Sequence, residues 1–284
     1  MRGETVIDGI IVIKIGGAVR PDPVLDDIAA LTAEGTGVVL VHGGGGEVDR
    51  LAARLGVPSR IIQSPDGTSS RRTDPQTLDV LAMALLGRVK PALVGGLRAR
   101  GVQALGLNGA DAGLLTARRK QVLRSVEDGR TVLIRDDRSG QVTEVRTGPL
   151  PALLAGGVVP VLSPPAADAQ GELLNVDADQ VAAQIAAALG ASALFLLTDA
   201  PGVLRDPSDP GSVIGELSAD APEARGRMRH KVRAARLAAA TVPTVMIGSG
   251  CVEHPVRAAL AGAGTTVLSG RNIAPADSPK RSQP

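Results

Sequence analysis

Only five of the 31 basic residues in this 284-residue chain are lysine, and one of them, Lys14, lies inside an apolar run that closes on Gly16-Gly17. A lysine among apolar residues is costly unless its ammonium finds a partner or water. Beside a glycine loop, whose N–H groups approach an anion with no Cβ in the way, it could hold a phosphate; a lysine reaching water at a strand edge would look the same. His42-Gly43-Gly44-Gly45-Gly46 separates two further runs. Glycines there leave N–H groups uncovered at a helix N-terminus, which suits an anion, or simply make a tight turn. His42 could act as a base or only hydrogen-bond the loop. No GxxxxGK[ST] or GxGxxG string occurs, so neither a Walker A loop nor a dinucleotide fingerprint is present.

Three further strings carry chemistry. Arg71-Arg72-Thr73 precedes Asp74-Pro75; arginine grips a carboxylate with paired hydrogen bonds, although a solvated charged turn has the same composition. Asn175-Val176-Asp177-Ala178-Asp179-Gln180 opens a helix. Asp177 suits the cap, while Asp179 could fix a cation and Asn175 hold a ligand. Gly226-Arg227-Met228-Arg229-His230-Lys231-Val232 sets cations where a helix dipole opposes them. It is either a solvated basic start or one that faces a polyphosphate. Thr198-Asp199 follows an apolar run and is placed to face a nucleotide.

The elements that must position these residues alternate. Strands are expected at residues 10–15, 38–41, 103–107, 158–162, 193–198, 244–247 and 265–267. Helices are expected at 23–33 behind an Asp22 cap, 47–55, 177–188, 230–241 and 255–261. A further helix from Asp74-Pro75 toward Arg100 should bend or break near Pro91 and Gly95-Gly96. Residues 114–145 read as hairpins turning at Asp128-Gly129 and Ser139-Gly140. This pattern implies an α/β fold, a three-layer αβα sandwich around a mainly parallel sheet, with ligands at the carboxyl ends of strands. The expected division is an N-terminal lobe, 1–188, a C-terminal lobe, 189–270, with the seam near Gly190, and a flexible tail, 271–284.

With one Phe and no Tyr or Trp, base stacking on aromatics is excluded, so no nucleic-acid partner is expected. One cysteine excludes an internal disulfide and fits a reducing cytoplasm. No secretory signal pattern and no uninterrupted apolar run of ~20 residues are seen, so no membrane is expected.

Taken together and in this order, K-I-G-G, H-G-G-G and N-V-D-A-D-Q resemble the amino acid kinase family, in particular its acetylglutamate-kinase-like enzymes, from about residue 10 to 267. The resemblance implies the carbamate-kinase-like fold, ATP with Mg²⁺, and an acidic amino acid phosphorylated on its side-chain carboxylate. It implies no dedicated metal site. On that resemblance Lys14 and Lys231 stabilise the transferring phosphoryl group and Asp179 organises them. Gly44, Gly45, Arg71 and Asn175 bind the amino acid; Gly16, Gly17, Thr198 and Asp199 face the nucleotide. Gly46-Glu47-Val48-Asp49 and Ser69-Ser70-Arg71 depart from the acetylglutamate pattern, and Gly226-Arg227-Met228 and Gly109-Ala110-Asp111 look more like the branch that acts on substrates carried by the small acidic protein LysW. That branch serves 2-aminoadipate in lysine biosynthesis and sometimes glutamate in arginine biosynthesis. A kinase for free N-acetylglutamate is the alternative; a non-catalytic amino-acid sensor on the same fold is more remote, given both lysines and Asp179. The short segment before the first strand implies a homodimer without the arginine feedback of hexameric relatives.

Charge is lopsided. Residues 88–146 hold twelve basic and six acidic residues, whereas the whole chain is only +2. A solvated hairpin surface would account for this, but so would a docking face for an acidic carrier, since complementary charge steers encounter.

Overall fold

Strands buried on both faces read as unbroken apolar runs, and two of them, β1 (Ile10–Ile15) and β2 (Gly37–His42), lie side by side in parallel at the centre of the molecule. The computed structural model describes residues 9–269 apart from 66, 128–129, 222–223 and 225. Between and after these strands come α1 (Pro21–Ala33) and α2 (Gly45–Leu55). A hairpin of β3 (Ile61–Gln63) and β4 (Ser69–Arg71) leads into α3 (Pro75–Ala84) and α4 (Lys90–Ala99), then β5 (Ala104–Asn108). Next are β6 (Leu115–Arg119), β7 (Leu123–Glu127), β8 (Arg130–Ile134), β9 (Gly140–Val145) and α5 (Leu150–Ala155). β10 (Val159–Ser163), β11 (Ala166–Ala167), β12 (Leu173–Leu174), α6 (Ala178–Ala188) and β13 (Ala193–Thr198) follow. The described chain closes with β14 (Glu216–Leu217), α7 (Gly226–Ala239), β15 (Thr244–Ser249), α8 (Pro255–Leu260) and β16 (Thr265–Val267).

The large sheet has eight strands in the order β14-β16-β15-β13-β1-β2-β10-β5, parallel except between β15 and β16. Alternate residues of its strands point to opposite faces. Val12, Val39 and Val41 pack with Val181 and Ala182 of α6 and Val232 and Ala235 of α7. Ile11, Ile13 and Leu40 pack with Ile28 of α1, Leu93 of α4 and Val256 of α8. This is the three-layer α/β sandwich expected. β1 and β13 pair along their length, so residues before and after Gly190 share one continuous sheet.

Three boundaries differ from expectation for identifiable reasons. The helix from Pro75 does not break at Pro91 or Gly95-Gly96. A π turn, Leu85–Val89, widens the helix ahead of Pro91, whose ring would otherwise meet the carbonyl of Gly87. The resulting Pro75–Ala99 helix is the one among the described residues long and apolar enough to match a membrane span by length and composition, although the sequence shows no such run because Arg88 and Lys90 interrupt it. Ser139-Gly140 is no hairpin turn: Gly140 starts β9, which pairs with β6, and a Cβ on it would lie 3.0 Å from that of Leu174. α1 starts at Pro21, with Arg20 before it and Asp22 inside its first turn, not capping it. Asp128-Gly129 and the tail from residue 271 lie outside the described residues.

A second sheet, β12-β11-β6-β9, and the hairpin β7–β8 carry the part of the basic segment from Arg118 to Arg146, while Arg88, Lys90 and Arg98 stand on the Pro75–Ala99 helix. β12 runs directly into Asn175, so the second sheet and the candidate site are covalently adjacent.

Candidate active site

β1 lifts Lys14 to the carboxyl edge of the sheet on the face covered by α6 and α7. Asp177 caps α6 by accepting the Asp179 and Gln180 N–H groups at 2.8 and 3.0 Å. That cap sets Asp179 in the first turn of α6. α7 begins a turn earlier than expected, at Gly226, so Lys231 stands beyond the first turn, facing α6.

Lys14 Nζ lies 2.7 Å from Asp179 Oδ1, and Lys231 Nζ donates to the same oxygen at 2.9 Å. All three are buried, at 7, 9 and 6% exposure for Lys14, Asp179 and Lys231. Burial pushes the Asp179 carboxyl up, but the two ammonium groups outweigh it and hold the group well below the carboxylate range. Burial, then the charge of Lys14, pulls Lys231 below the usual lysine value, against the opposite pull of Asp179. Two cations against one carboxylate leave a buried excess of positive charge. An anion beside them would relieve it, and a polyphosphate fits that donor set.

The glycine loops close on this cluster. Gly16 N–H donates to Leu197 O at 3.0 Å, bringing the loop after β1 against Thr198 at the end of β13. Thr198 Oγ1 donates to Asp199 Oδ1 at 3.0 Å. A Cβ on Gly17 would stand 2.9 Å from Gly45 N, so only glycine allows the two loops to touch. The first N–H groups of α2, at Gly44–Gly46, have no preceding turn to bond. A cleft of 320 Å³ lined by Gly16, Gly17, Gly43, Gly44, Arg88 and Leu93 opens beside the loops.

Arg71 and Asn175 are held by side-chain hydrogen bonds. Arg71 Nη1 donates to Asp49 Oδ1 at 2.5 Å and Ser59 Oγ at 2.8 Å, and its Nη2 reaches Gly45 O at 3.3 Å. Asn175 Nδ2 donates to Thr73 Oγ1 at 3.0 Å. His42 points to the opposite face of the sheet, fully buried, with its Nδ1 2.9 Å from Gly43 O. Burial pushes it down to about 4, with the charges of Lys90 and Lys14 acting in the same direction. It is a neutral support of the Gly43 peptide.

The structure thus brings Lys14, Asp179 and Lys231 into direct contact, joins the glycine loops to each other and to the end of β13, sets Arg71 against Gly45 and ties Asn175 to Thr73. Sequence reasoning missed Asp136 and Asp137. Arg72 Nη2 donates to both oxygens of Asp136 at 2.9 and 2.8 Å, and Thr73 N–H donates to Asp137 Oδ2 at 2.7 Å. Two adjacent acids inside the most basic stretch of the chain were the available signal.

A pair of buried lysines on one carboxylate, beside glycine loops at the carboxyl ends of a parallel sheet, is a donor set that suits phosphoryl transfer. Residues 9–249 match the model of the amino acid kinase family, and the chain belongs to that family. It is 43% identical to a "[LysW]-aminoadipate kinase" of Deinococcus radiodurans over 92% of each chain. It is 40% identical to a "[LysW]-aminoadipate kinase" of Thermus thermophilus, over 91% of this chain and all of that one. Among solved structures, the carbamate kinase of Giardia lamblia bound to AMP-PNP superposes with a TM-score of 0.62 at 17% identity, over 92% of this chain and 98% of that one, a likeness of fold.

Proposed function

We propose that the chain transfers the γ-phosphoryl group of ATP to the side-chain carboxylate of 2-aminoadipate held by its amino group on a LysW-like acidic carrier protein. The product is an acyl phosphate of lysine biosynthesis; carrier-linked glutamate, for arginine biosynthesis, is a second acceptor in this reading. The observation that carries it is the pair Lys14 and Lys231 on one oxygen of Asp179, in a chain whose relatives of matching length are named for that reaction.

The acceptor carboxylate is already ionised at pH 7, so no general base is needed. The task is to bring one anion to another. Lys14 and Lys231 stabilise charge on the phosphoryl group in flight, and Asp179 keeps both ammonium groups aimed. Gly16, Gly17, Thr198 and Asp199 face the nucleotide; Gly44 and Gly45 present N–H groups to the acceptor, and Arg71 and Asn175 hold its amino-acid end. The chain offers no cluster of metal-ligating side chains among its described residues, so Mg²⁺ arriving with ATP would take its ligands from phosphate oxygens and water and would supply neutralisation of phosphate charge. In this reading residues 1–188 form the amino-acid lobe and 189–270 the nucleotide lobe.

The carrier is supported by a groove of 530 Å³ on β6 and β9, lined by Arg118, Arg119, Arg135, Thr116, Asp168 and Gln170. A free amino acid needs no basic surface of that extent; an acidic protein does. A homodimer is supported by β5, which ends the large sheet with Leu105 at 43% exposure, and a cytoplasmic setting by the free thiol of Cys251. The competing reading, a kinase for free N-acetylglutamate, draws on the same Gly44, Gly45, Arg71 and Asn175. Purified protein with ATP and each acceptor in turn decides between them. Acyl phosphate should form on carrier-linked 2-aminoadipate far more efficiently than on free N-acetylglutamate, and the reverse order would overturn the carrier reading.

A further inference from the structure

Arg71 and Asn175 are held by a network that runs away from the site, toward the basic groove. Thr73 is fully buried, and its hydroxyl donates its one hydrogen to Arg71 O at 3.3 Å. That oxygen can therefore only accept from Asn175, which fixes the amide with Nδ2 on Thr73 and Oδ1 turned away. Asp137, 1% exposed, accepts Thr73 N–H and Ser139 N–H at 2.7 Å each, one on each carboxylate oxygen. Backbone bonds close the circuit: Arg138 N–H to Thr73 O at 2.6 Å, Asn175 N–H to Arg138 O at 2.9 Å, and Gly140 N–H to Asn175 O at 2.8 Å. At the far end Arg119 donates through Nε to Asp137 O and through Nη2 to Arg135 O, both at 2.8 Å, while lining the groove on β6. Arg118, its neighbour on β6, lines the same groove.

We propose that Asp137 and Thr73 are positioning residues for the acidic amino-acid acceptor, and that Arg119 ties the carrier-docking groove to that clamp. The inference rests on the reading of the site as a carboxylate kinase. A buried carboxylate that spends both oxygens on backbone N–H groups is a rigid anchor, because each such bond is charge-assisted. Here it anchors the segment carrying Arg71 and the one paired with Asn175. A carrier gripping Arg119 would then pull on the loop that aims Asn175, coupling docking to acceptor binding.

The test is a set of steady-state measurements on the full chain, with ATP against carrier-linked 2-aminoadipate and against free N-acetylglutamate. T73V removes the acceptor for Asn175 while keeping the shape of the side chain and the N–H to Asp137. It should raise KM for both acceptors about tenfold, the scale of one well-placed hydrogen bond, with KM for ATP within about twofold, and T73S should restore the wild-type value. D137N should act in the same direction. R119A should raise KM even for the free acceptor, whereas R118A should affect only the carrier-linked one. A T73V enzyme with unchanged acceptor KM, or with both KM values raised alike, overturns the positioning role whether or not D137N folds. R119A indistinguishable from R118A overturns the coupling. A wild type inert toward every acidic acceptor overturns the reading beneath both.

Discussion

The two halves of the candidate site are built by opposite means. The Lys14–Asp179–Lys231 cluster stands on β1, α6 and α7, regular elements packed into the core, and each member is more than nine-tenths buried. The acceptor clamp stands on a three-residue strand, β4, and on the residue after a two-residue strand, β12, and is held by side-chain bonds that span 64 and 102 residues of sequence. Stabilising charge in a transition state demands groups that are dry and already aimed, and the core supplies both. Recognising one amino acid, or one carrier, is assigned to short strands and loops, which can change without disturbing the core.

The comparison predicts different kinds of damage on the two sides. Lys14→Ala and Lys231→Ala should each lower kcat by about 10²–10³ and leave the chain folded, because Asp179 keeps the other lysine. Asp179→Ala should be worse, since it strands two buried ammonium groups; breaking a buried pair destabilises by about 3–5 kcal/mol. Turnover and melting curves check both, and near-normal kcat in either lysine variant would break the assignment. On the clamp side, Asn175→Ala and Arg71→Ala should raise KM for the acceptor by roughly tenfold with little change for ATP. Equal rises would move those residues to the nucleotide.

Ionisation sharpens the contrast. Lys231 is held below the usual lysine value and is needed charged, so kcat/KM should fall on the alkaline side before an ordinary lysine loses its proton. A profile flat past pH 10.5 would deny Lys231 that role. The smallest effect belongs to His42. Its folded value of about 4 lies below the unfolded 6.5, so folding is favoured above pH 6.5 and that advantage fades as pH falls toward 4. The shift corresponds to about 3 kcal/mol. Wild-type melting temperature should drop through that window more steeply than that of His42→Asn, and parallel curves would show that His42 does not stay neutral.

The core half was far more legible in sequence than the clamp. β1, β13 and β16 fall where the apolar runs put them, because strands buried on both faces leave no alternation to misread, and Lys14, Asp179 and Lys231 stand in short strings beside glycines or a cap. The hairpin β3–β4 was not foreseen. Its strands are three residues long, and it carries Arg71 through pairing with Ile61, not through any periodicity. Asp137 carried a signal only as one of two adjacent acids in a basic stretch; its role was hidden for the same reason, since its partner Thr73 lies 64 residues earlier. The helix passes Pro91 without the break that was one of the two outcomes expected there, because it is preceded by a π turn, which has no sequence signature of its own.

The central claim is that an acidic carrier presents the acceptor, and the most direct measurement is kcat/KM for carrier-linked 2-aminoadipate and for free N-acetylglutamate across a salt series. Attraction between the Arg118–Arg119 groove and an acidic protein is screened over ~8–10 Å near physiological salt. The carrier-linked value should therefore be the larger at low salt and fall steeply as salt rises, the free value should barely move, and Arg118→Glu should bring the carrier-linked value down at low salt. Equal efficiency on the free acceptor, or a carrier-linked value indifferent to salt and to Arg118→Glu, would contradict the account.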